Sequence, residues 1–417
     1  LNFPLSSFSR FRPDVQRLLI VSGLMSISFF GIQALLKVLY VLRLGHGPEF
    51  LGVFNASGAF SYMLASLPAG ALGERLGLLR AMRWGGFCVI VSMVMLPMTE
   101  MLPSSWQLAW PILSQVMGTV GWALFGINLV PAFMTASTPE NRNNVYAFSA
   151  VLRSLGTLVG TVVGGVLPGL FAALLGETTG DPGPYRWGLW VSALVSAIAV
   201  YYLFRIRELP NAGSTDSAQG NGRFPVGAVS LTVLHVYLIN AAWATCQSFC
   251  NAYMDTDLRL SPAMIGLIVG MGQTVAVFVP LWAPRLAARH GNGWLLMVAG
   301  GATGVILLPL AFLHHALGAG IGSAGVVAMV GLWMPAFQVY QMETMERHWR
   351  SLAYGMSSMA MGLSFGTVSL IGGYFAARWG YTNLFLIGVV LAFTGSVLMW
   401  GILKRPTQIV TVQRESS

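Results

Sequence analysis

The sequence predicts an all-α integral membrane protein, with about twelve transmembrane helices in two pseudo-symmetric six-helix bundles. Three observations carry this. Hydrophobic residues make up 55% of 417 positions and charged residues only 9%, with a mean hydropathy of +0.68. Soluble domains carry about 25% charged residues, so this chain cannot clothe a water-facing surface of ordinary size. Twelve apolar runs follow one another along the chain, and one long polar gap falls after the sixth.

A spanning helix needs about 20 mainly apolar residues. The runs lie near 16–44, 50–73, 81–100, 105–135, 143–176, 184–206, 226–256, 262–287, 294–315, 318–345, 351–377 and 381–404. The first follows a polar stretch, "LNFPLSSFSRFRPDVQR". That run is too long for a signal-peptide core and no small-residue cleavage site follows it, so it is expected to stay in the mature protein. Short gaps such as "GHGP", "LPSS", "ETTGDPGP" and "HGNG" are turn chemistry. The long gap, "RIRELPNAGSTDSAQGNGRF", is rich in Gly, Ser, Asn and Gln and reads as a flexible linker. The expected organisation is a bundle over 1–204, a linker over 205–225 and a second bundle over 226–417.

Basic residues orient the chain. With the N-terminus inside, the inner segments hold seventeen Lys and Arg, and the outer loops hold only Arg43, Arg186, Arg259 and Arg378. Both termini and the linker are therefore expected in the cytoplasm of a multi-pass protein of the plasma or inner membrane. The net charge of +9 is scattered over these loops and forms no continuous patch, which excludes a nucleic-acid surface.

The halves repeat each other. "PEFLG" (48–52) and "PAMIG" (262–266) match at an offset of 214, as do "ERLG" (74–77) and "ARHG" (288–291). "RNNVYAFS" (142–149) matches "RSLAYGMS" (350–357) at an offset of 208, which also sets Gly164-Gly165 on Gly372-Gly373. Such parallel duplication of six spans is a habit of secondary transporters.

With twelve spans, a central linker and a charged turn after the second helix, the sequence resembles the major facilitator superfamily over nearly its whole length. The family motif there reads approximately G-x-L-[AG]-[DE]-R-x-G-[RK]-[RK]. Gly70, Leu72, Gly73, Glu74, Arg75 and Gly77 match, Leu78 and Leu79 stand at basic positions, and Arg80 restores one charge. The second copy, "PRLAARHG", has Ala288 where Glu74 stands. The resemblance implies a gate at the cytoplasmic mouth built from Gly70, Gly73, Glu74, Arg75, Gly77 and Arg80, with Arg142 as a partner for Glu74 across the mouth. The bland alternative is a solvated loop obeying the charge rule, but that needs neither an acid nor glycines. In the fifth helix "GTLVGTVVGG", holding Gly156, Gly160, Gly164 and Gly165, approaches the antiporter motif G-x-x-x-G-P-x-x-G-G with Thr161 in the proline's place. This leans toward export, although small residues four apart also pack helices closely in any membrane protein.

Two cations lie inside the spans. Arg153 is about 15 Å into the fifth helix, and Lys37 is in the outer third of the first, within snorkelling reach of the outside. Charges at that depth cost roughly 2.5–3.5 kcal/mol on the insertion scale and tend to mark pathways. Each reads as a cavity residue or as a donor to helix-end carbonyls. Ser22, Ser26, Gln33 and Lys37 recur on one face of the first helix, and Asn240, Trp243, Gln247 and Asn251 on one face of the seventh. The fourth helix offers Gln115, Thr119 and Trp122, and the tenth Trp333, Gln338 and Gln341. In the resembling family these four helices face a central cavity, so Gln33, Lys37, Gln115, Trp122, Arg153, Asn240, Trp243, Gln247, Trp333, Gln338 and Gln341 are the candidate substrate contacts. No acid lies centrally in helices one or four. His235 titrates near neutral pH in the free state, but a lone His is more often a structural donor. The coupling ion, taken as a proton, has no identifiable carrier.

Rival classes fare poorly. "GLSFG" (362–366) matches G-x-S-x-G, yet a nucleophile elbow requires a strand-to-helix turn and this match sits inside a span. Cys88, Cys246 and Cys250 all lie in apolar segments and read as core thiols. No cofactor, metal or nucleic acid is implied. The reading is a monomeric secondary transporter in contact with membrane lipids. It moves a small organic solute, an organic anion or polar amphiphile, by alternating access. Efflux of neutral or cationic drugs, sugar or metabolite uptake, and a non-transporting receptor are the alternatives.

Overall fold

A computed structural model describes residues 11–138, 141–206, 226–345 and 349–404. Among these the chain is helical with no strand. The first span has three parts. Helix α1 (Pro13–Met25) begins with proline in its first turn and Asp14 beside it, both favoured at a helix start. A π-helical segment, Ser26–Gln33, follows, and α2 (Ala34–Arg43) completes the crossing. Helix α3 (Pro48–Leu76) bends by 46° between Pro48–Ser66 and Pro68–Leu76, because Pro68 has no N–H to continue the ladder. Helix α4 (Leu78–Met95) ends in a 3₁₀ turn, Leu96–Met101. Helices α5 (Ala109–Ala136), α6 (Arg142–Leu175) and α7 (Gly183–Phe204) follow.

The second half starts with α8 (Val226–Thr256) and α9 (Pro262–Phe278). A single span expected over 262–287 is in fact broken by a 3₁₀ turn, Val279–Trp282, before the short α10 (Ala283–His290). Helices α11 (Asn292–Phe312) and α12 (Ala316–Thr344) come next. Helix α13 (Arg350–Leu403) holds the last two expected spans, divided only at Gly380, whose φ of 80° no helix tolerates. Nine helices among the described residues are long and apolar enough to cross a membrane. The bent α3, the division of α13 and the shorter apolar α9 supply the remainder of the expected twelve. Most of the expected linker, 207–225, lies outside the described residues.

The chain divides into two compact units, Leu1–His46, Ser57–Ser214 and Ser261–Gly270 against Gly47–Ala56, Thr215–Leu260 and Met271–Ser417. The core of the first unit runs along α1, α4, α5 and α7 through Leu18, Met25, Met82, Phe125, Phe133 and Leu203. Each unit also contains a glycine-on-glycine crossing at positions that correspond between the halves. In the first, a Cβ on Gly165 would lie 2.7 Å from Pro262 O and 2.9 Å from Gly266 Cα; in the second, a Cβ on Gly373 would lie 2.6 Å from Pro48 O and 2.8 Å from Gly52 Cα. These are the positions the sequence repeat equates. The turns at Gly77 and Gly291 repeat as well, with φ of 95° and 86°, a region open to glycine and costly for other residues.

Candidate functional site

In the first unit α6 is laid against the first span by its glycines. A Cβ on Gly156 would come within 2.8 Å of Gly23 O, one on Gly160 within 2.8 Å of Ile27 Cα, and one on Gly164 within 3.1 Å of Ile32 Cα. At Gly156 and Gly160 backbones this close leave no room for a side chain, so these two positions demand glycine, while at Gly164 a methyl group would be tight. The partner stretch is the π-helical Ser26–Gln33. Its i→i+5 turns are wider than α turns and rotate every later residue. The single polar face expected for Ser22, Ser26, Gln33 and Lys37 is therefore not formed. Ser26 is buried against Gly156 of α6 and donates to Ser22 O at 2.8 Å. Gln33 accepts from Ser192 of α7 at 2.9 Å. Lys37 turns inward across the bundle rather than snorkelling outward, and its Nζ donates to Gln115 Oε1 of α5 at 3.2 Å.

Around Lys37 the first unit assembles Phe29, Gln33, Ser92, Gln115 and Thr119, enclosing a cavity of about 10 Å³, space for one water-sized group. Trp122 lies beside it, stacked on Phe29 at 4.9 Å and edge-on to Phe30 at 4.7 Å. Admission of a solute at this point requires Phe29 and the amides to part. Two neighbours escape sequence reading. Gly58 makes the room that Gln115 occupies, since a Cβ there would overlap the Gln115 amide. Ser28 on the π segment donates to Ser192 O at 2.7 Å and shares a 2.5 Å hydrogen bond with Ser196.

Arg153 stands elsewhere. At about 100° per residue it lies about 140° around α6 from the row Leu155, Val159 and Val166, whose side chains are exposed. Its own side chain is exposed. Among the described residues its guanidinium makes no hydrogen bond or ion pair. Gly23 meets Gly156 and Ile32 meets Gly164, so α6 and the first span run in the same direction. Lys37 is six residues beyond Gly31, which abuts Gly160, and Arg153 is seven residues before Gly160. The two cations are therefore about 20 Å apart along the bundle.

In the second unit the expected common face of α8 also divides. Gln247 is exposed and Asn240 half-buried. Trp243, by contrast, is buried, donating to Thr303 Oγ1 of α11 at 3.2 Å and meeting Trp333 of α12 edge-on at 5.2 Å. Trp333 is fully buried, stacked on Phe337 at 4.5 Å, and its Nε1 donates to His235 Nε2 at 3.3 Å. His235 in turn lies 2.8 Å from Gly395 O through Nδ1. One ring nitrogen must donate and the other accept, which fixes a neutral tautomer. Gln341 is buried and donates to Ala353 O and Ser357 Oγ, whereas Gln338 is exposed. Trp243, Trp333, Gln341 and His235 are thus held by partners within their own unit.

Ser364 of "GLSFG" is buried within α13, donating to Met361 O at 2.9 Å and accepting from Asn240 at 2.6 Å. It stands on no strand-to-helix turn. The three cysteines are free.

At the charged turn Glu74, Arg75 and Arg80 are exposed and Gly77 makes the reversal into α4. Gly73 faces Asn128 of α5, whose amide donates to Ala69 O at 3.1 Å and so ties down the bent end of α3. The side chain of Arg142 lies outside the described residues.

Comparison with known proteins agrees with this architecture. The model of the Major Facilitator Superfamily matches residues 18–347 and 236–416. Among solved structures, a variant of the nucleoside transporter NupG superposes with a TM-score of 0.73 at 12% identity, over 93% of this chain and 99% of that one. A D-xylose–proton symporter gives 0.72 at 15% identity, over 93% and 96%. The xylose transporter XylE from E. coli, in an inward open conformation, gives 0.69 at 14% identity, over 94% of each chain. Identities this low speak for the fold alone. No curated protein sequence matches.

Proposed function

The chain belongs to the Major Facilitator Superfamily and is a membrane transporter rather than an enzyme, and from that premise we propose that it carries a small organic solute with an anionic or strongly polar head. The observation that carries this reading is Arg153: a cation at bilayer depth, opposite the apolar row of α6, exposed and with no protein partner among the described residues. An uncompensated charge at that depth is expensive. A carboxylate, phosphate or sulfonate on the solute compensates it for part of the cycle, and the guanidinium fork grips such groups with two hydrogen bonds. Lys37, Gln33 and Gln115, with Trp122 beside them, form a second polar station about 20 Å along the path. Within the second unit, taken by itself, exposed Gln247 and Gln338 and half-buried Asn240 are the candidate solute contacts.

Glu74, Arg75 and Arg142 close the cytoplasmic mouth in this reading, with both termini on that side. Export is the working direction, from the glycine run of α6. Uptake of a neutral polar solute is the second reading, favoured by the likeness to a D-xylose–proton symporter and by the amides around Lys37.

Flux in vesicles of defined sidedness tests both. Candidate anions, sugars, nucleosides and cationic dyes are screened first. Arg153→Gln is expected to lower transport of the identified solute at least tenfold, with Arg153→Lys intermediate because it keeps the charge and loses the fork. Full transport by Arg153→Gln, or preference for a quaternary ammonium compound, rules the anion reading out.

A further inference from the structure

Helix α13 carries Ile371, Tyr374, Phe375 and Arg378 at i, i+3, i+4 and i+7, which places them on one face of the helix just before it breaks at Gly380. The face is graded along its length: aliphatic Ile371 lies deepest, the two aromatic rings follow, and the guanidinium stands at the tip. Ile371 is 65% exposed, Tyr374 57% and the neighbouring Trp379 53%, so these side chains stay open among the described residues. A membrane presents the same grading, from acyl chain through the interfacial zone where aromatic rings collect to the phosphate level. Within the same unit the Gly52–Gly373 crossing holds the first turn of α3 against this segment. That crossing brings Glu49 to the opposite wall. Glu49, Ile371, Tyr374, Phe375, Arg378 and Trp379 then line an open cavity of about 650 Å³.

The decisive detail concerns the two charges. Glu49 and Arg378 line one cavity with opposite signs, yet form no ion pair with each other. Arg378 instead lies over the Trp379 ring at 5.5 Å. Opposite charges kept apart across a space of this size match a ligand carrying both signs a short distance apart. We infer that this cavity binds the headgroup of a zwitterionic phospholipid, its phosphate at Arg378, its ammonium at Glu49 and the adjoining rings, and its acyl chains along Ile371. Arginine suits phosphate through paired hydrogen bonds, and an ammonium is drawn both to a carboxylate and to aromatic faces. By the distribution of basic residues, the leaflet concerned is the outer one. The inference is independent of which solute is carried.

Native mass spectrometry of the full chain in detergent, titrated with dioleoylphosphatidylethanolamine or dioleoylphosphatidylglycerol, tests it. The wild type is expected to retain one zwitterionic lipid at least fivefold more strongly than Glu49→Gln or Arg378→Gln. Retention of phosphatidylglycerol, which has no ammonium, is expected to be the same in the wild type and Glu49→Gln. Trp379→Leu, which leaves both charges in place, is expected to weaken the zwitterion selectively and guards against misfolding of a charge variant. Phosphoethanolamine without acyl chains is expected not to displace the lipid at millimolar concentration. Equal retention of both lipids by the wild type, unchanged retention in both charge variants, or displacement by free phosphoethanolamine each overturns the assignment.

Discussion

Asn128 occupies the space that Gly73 leaves open. A Cβ on Gly73 would overlap the Asn128 carboxamide oxygen and lie 2.6 Å from its Cγ, while the Asn128 Nδ2 donates to Ala69 O at 3.1 Å and Leu124 O at 2.8 Å. The motif glycine thus serves two ends: it lets α3 approach α5, and it admits the amide that secures the segment after the Pro68 bend. Overpacking a site of this kind costs about 1–3 kcal/mol. Gly73→Ala is therefore expected to destabilise the detergent-solubilised protein by that amount. Adding Asn128→Ala removes the clash, so the double variant is expected to be less destabilised than the sum of the singles by about 1 kcal/mol, within the range for groups in contact. Strict additivity in thermal unfolding would mean that the two residues do not share this space.

The glycines of α6 allow a sharper contrast. Gly160 faces the Ile27 backbone, whereas a Cβ on Gly169 meets nothing within 4 Å. Gly160→Ala is expected to lower the thermal midpoint markedly and to reduce flux, because the π segment must move to make room. Gly169→Ala is expected to leave flux unchanged and to stabilise by about 0.5–1 kcal/mol through lower chain entropy. Similar behaviour of the two variants would show that α6 and the first span are not in backbone contact.

These contacts also mark how far the sequence could be read. The repeat in "PEFLG" and "PAMIG" and in the paired glycines was visible because close crossings tolerate only one residue type, and the structure puts a crossing at these equated positions in each unit. Hydropathy delivered the spans because a bilayer requires long apolar runs. The π-helical Ser26–Gln33 was not legible, since i→i+5 bonding leaves no compositional trace, and assuming an α period there put Ser26 and Lys37 on one face. Asn128 passed unnoticed as one amide in an apolar run, its partner Ala69 being 59 residues away. Trp243 and Trp333 looked like cavity residues because an indole N–H wants a partner, and nothing in the sequence says that Thr303 and His235 supply it.

The His235–Trp333 pair predicts a separation of stability from pH dependence. With Nδ1 committed to Gly395 O and Nε2 to the Trp333 indole, His235 serves the core of the second unit. His235→Leu leaves a buried indole donor without a partner, which costs about 1–3 kcal/mol, and thermal unfolding measures that loss. His235→Gln keeps hydrogen-bonding capacity and is expected to lose less. Neither variant is expected to move the pH profile of transport. A profile displaced by either substitution would make His235 a proton carrier and end the structural assignment.

The separation of Lys37 from Arg153 leads to the last expectation. The two helices run in the same direction and meet at Gly31 and Gly160. Counting outward from that meeting point sets the two cations about 20 Å apart. If each meets the solute at its own station, their contributions to affinity are independent. Mutations more than about 7–10 Å apart with no shared partner usually add to within about 0.3–0.5 kcal/mol. Lys37→Gln, Arg153→Gln and the double variant therefore form a cycle, read as the half-saturating concentration of the identified solute in zero-trans flux. Each single change is expected to weaken binding, and the double change is expected to multiply the two effects. A coupling above about 1 kcal/mol would instead require both cations to touch one bound solute. Such a solute would have to be long, with anionic groups at both ends, rather than the small anion that Arg153 alone calls for.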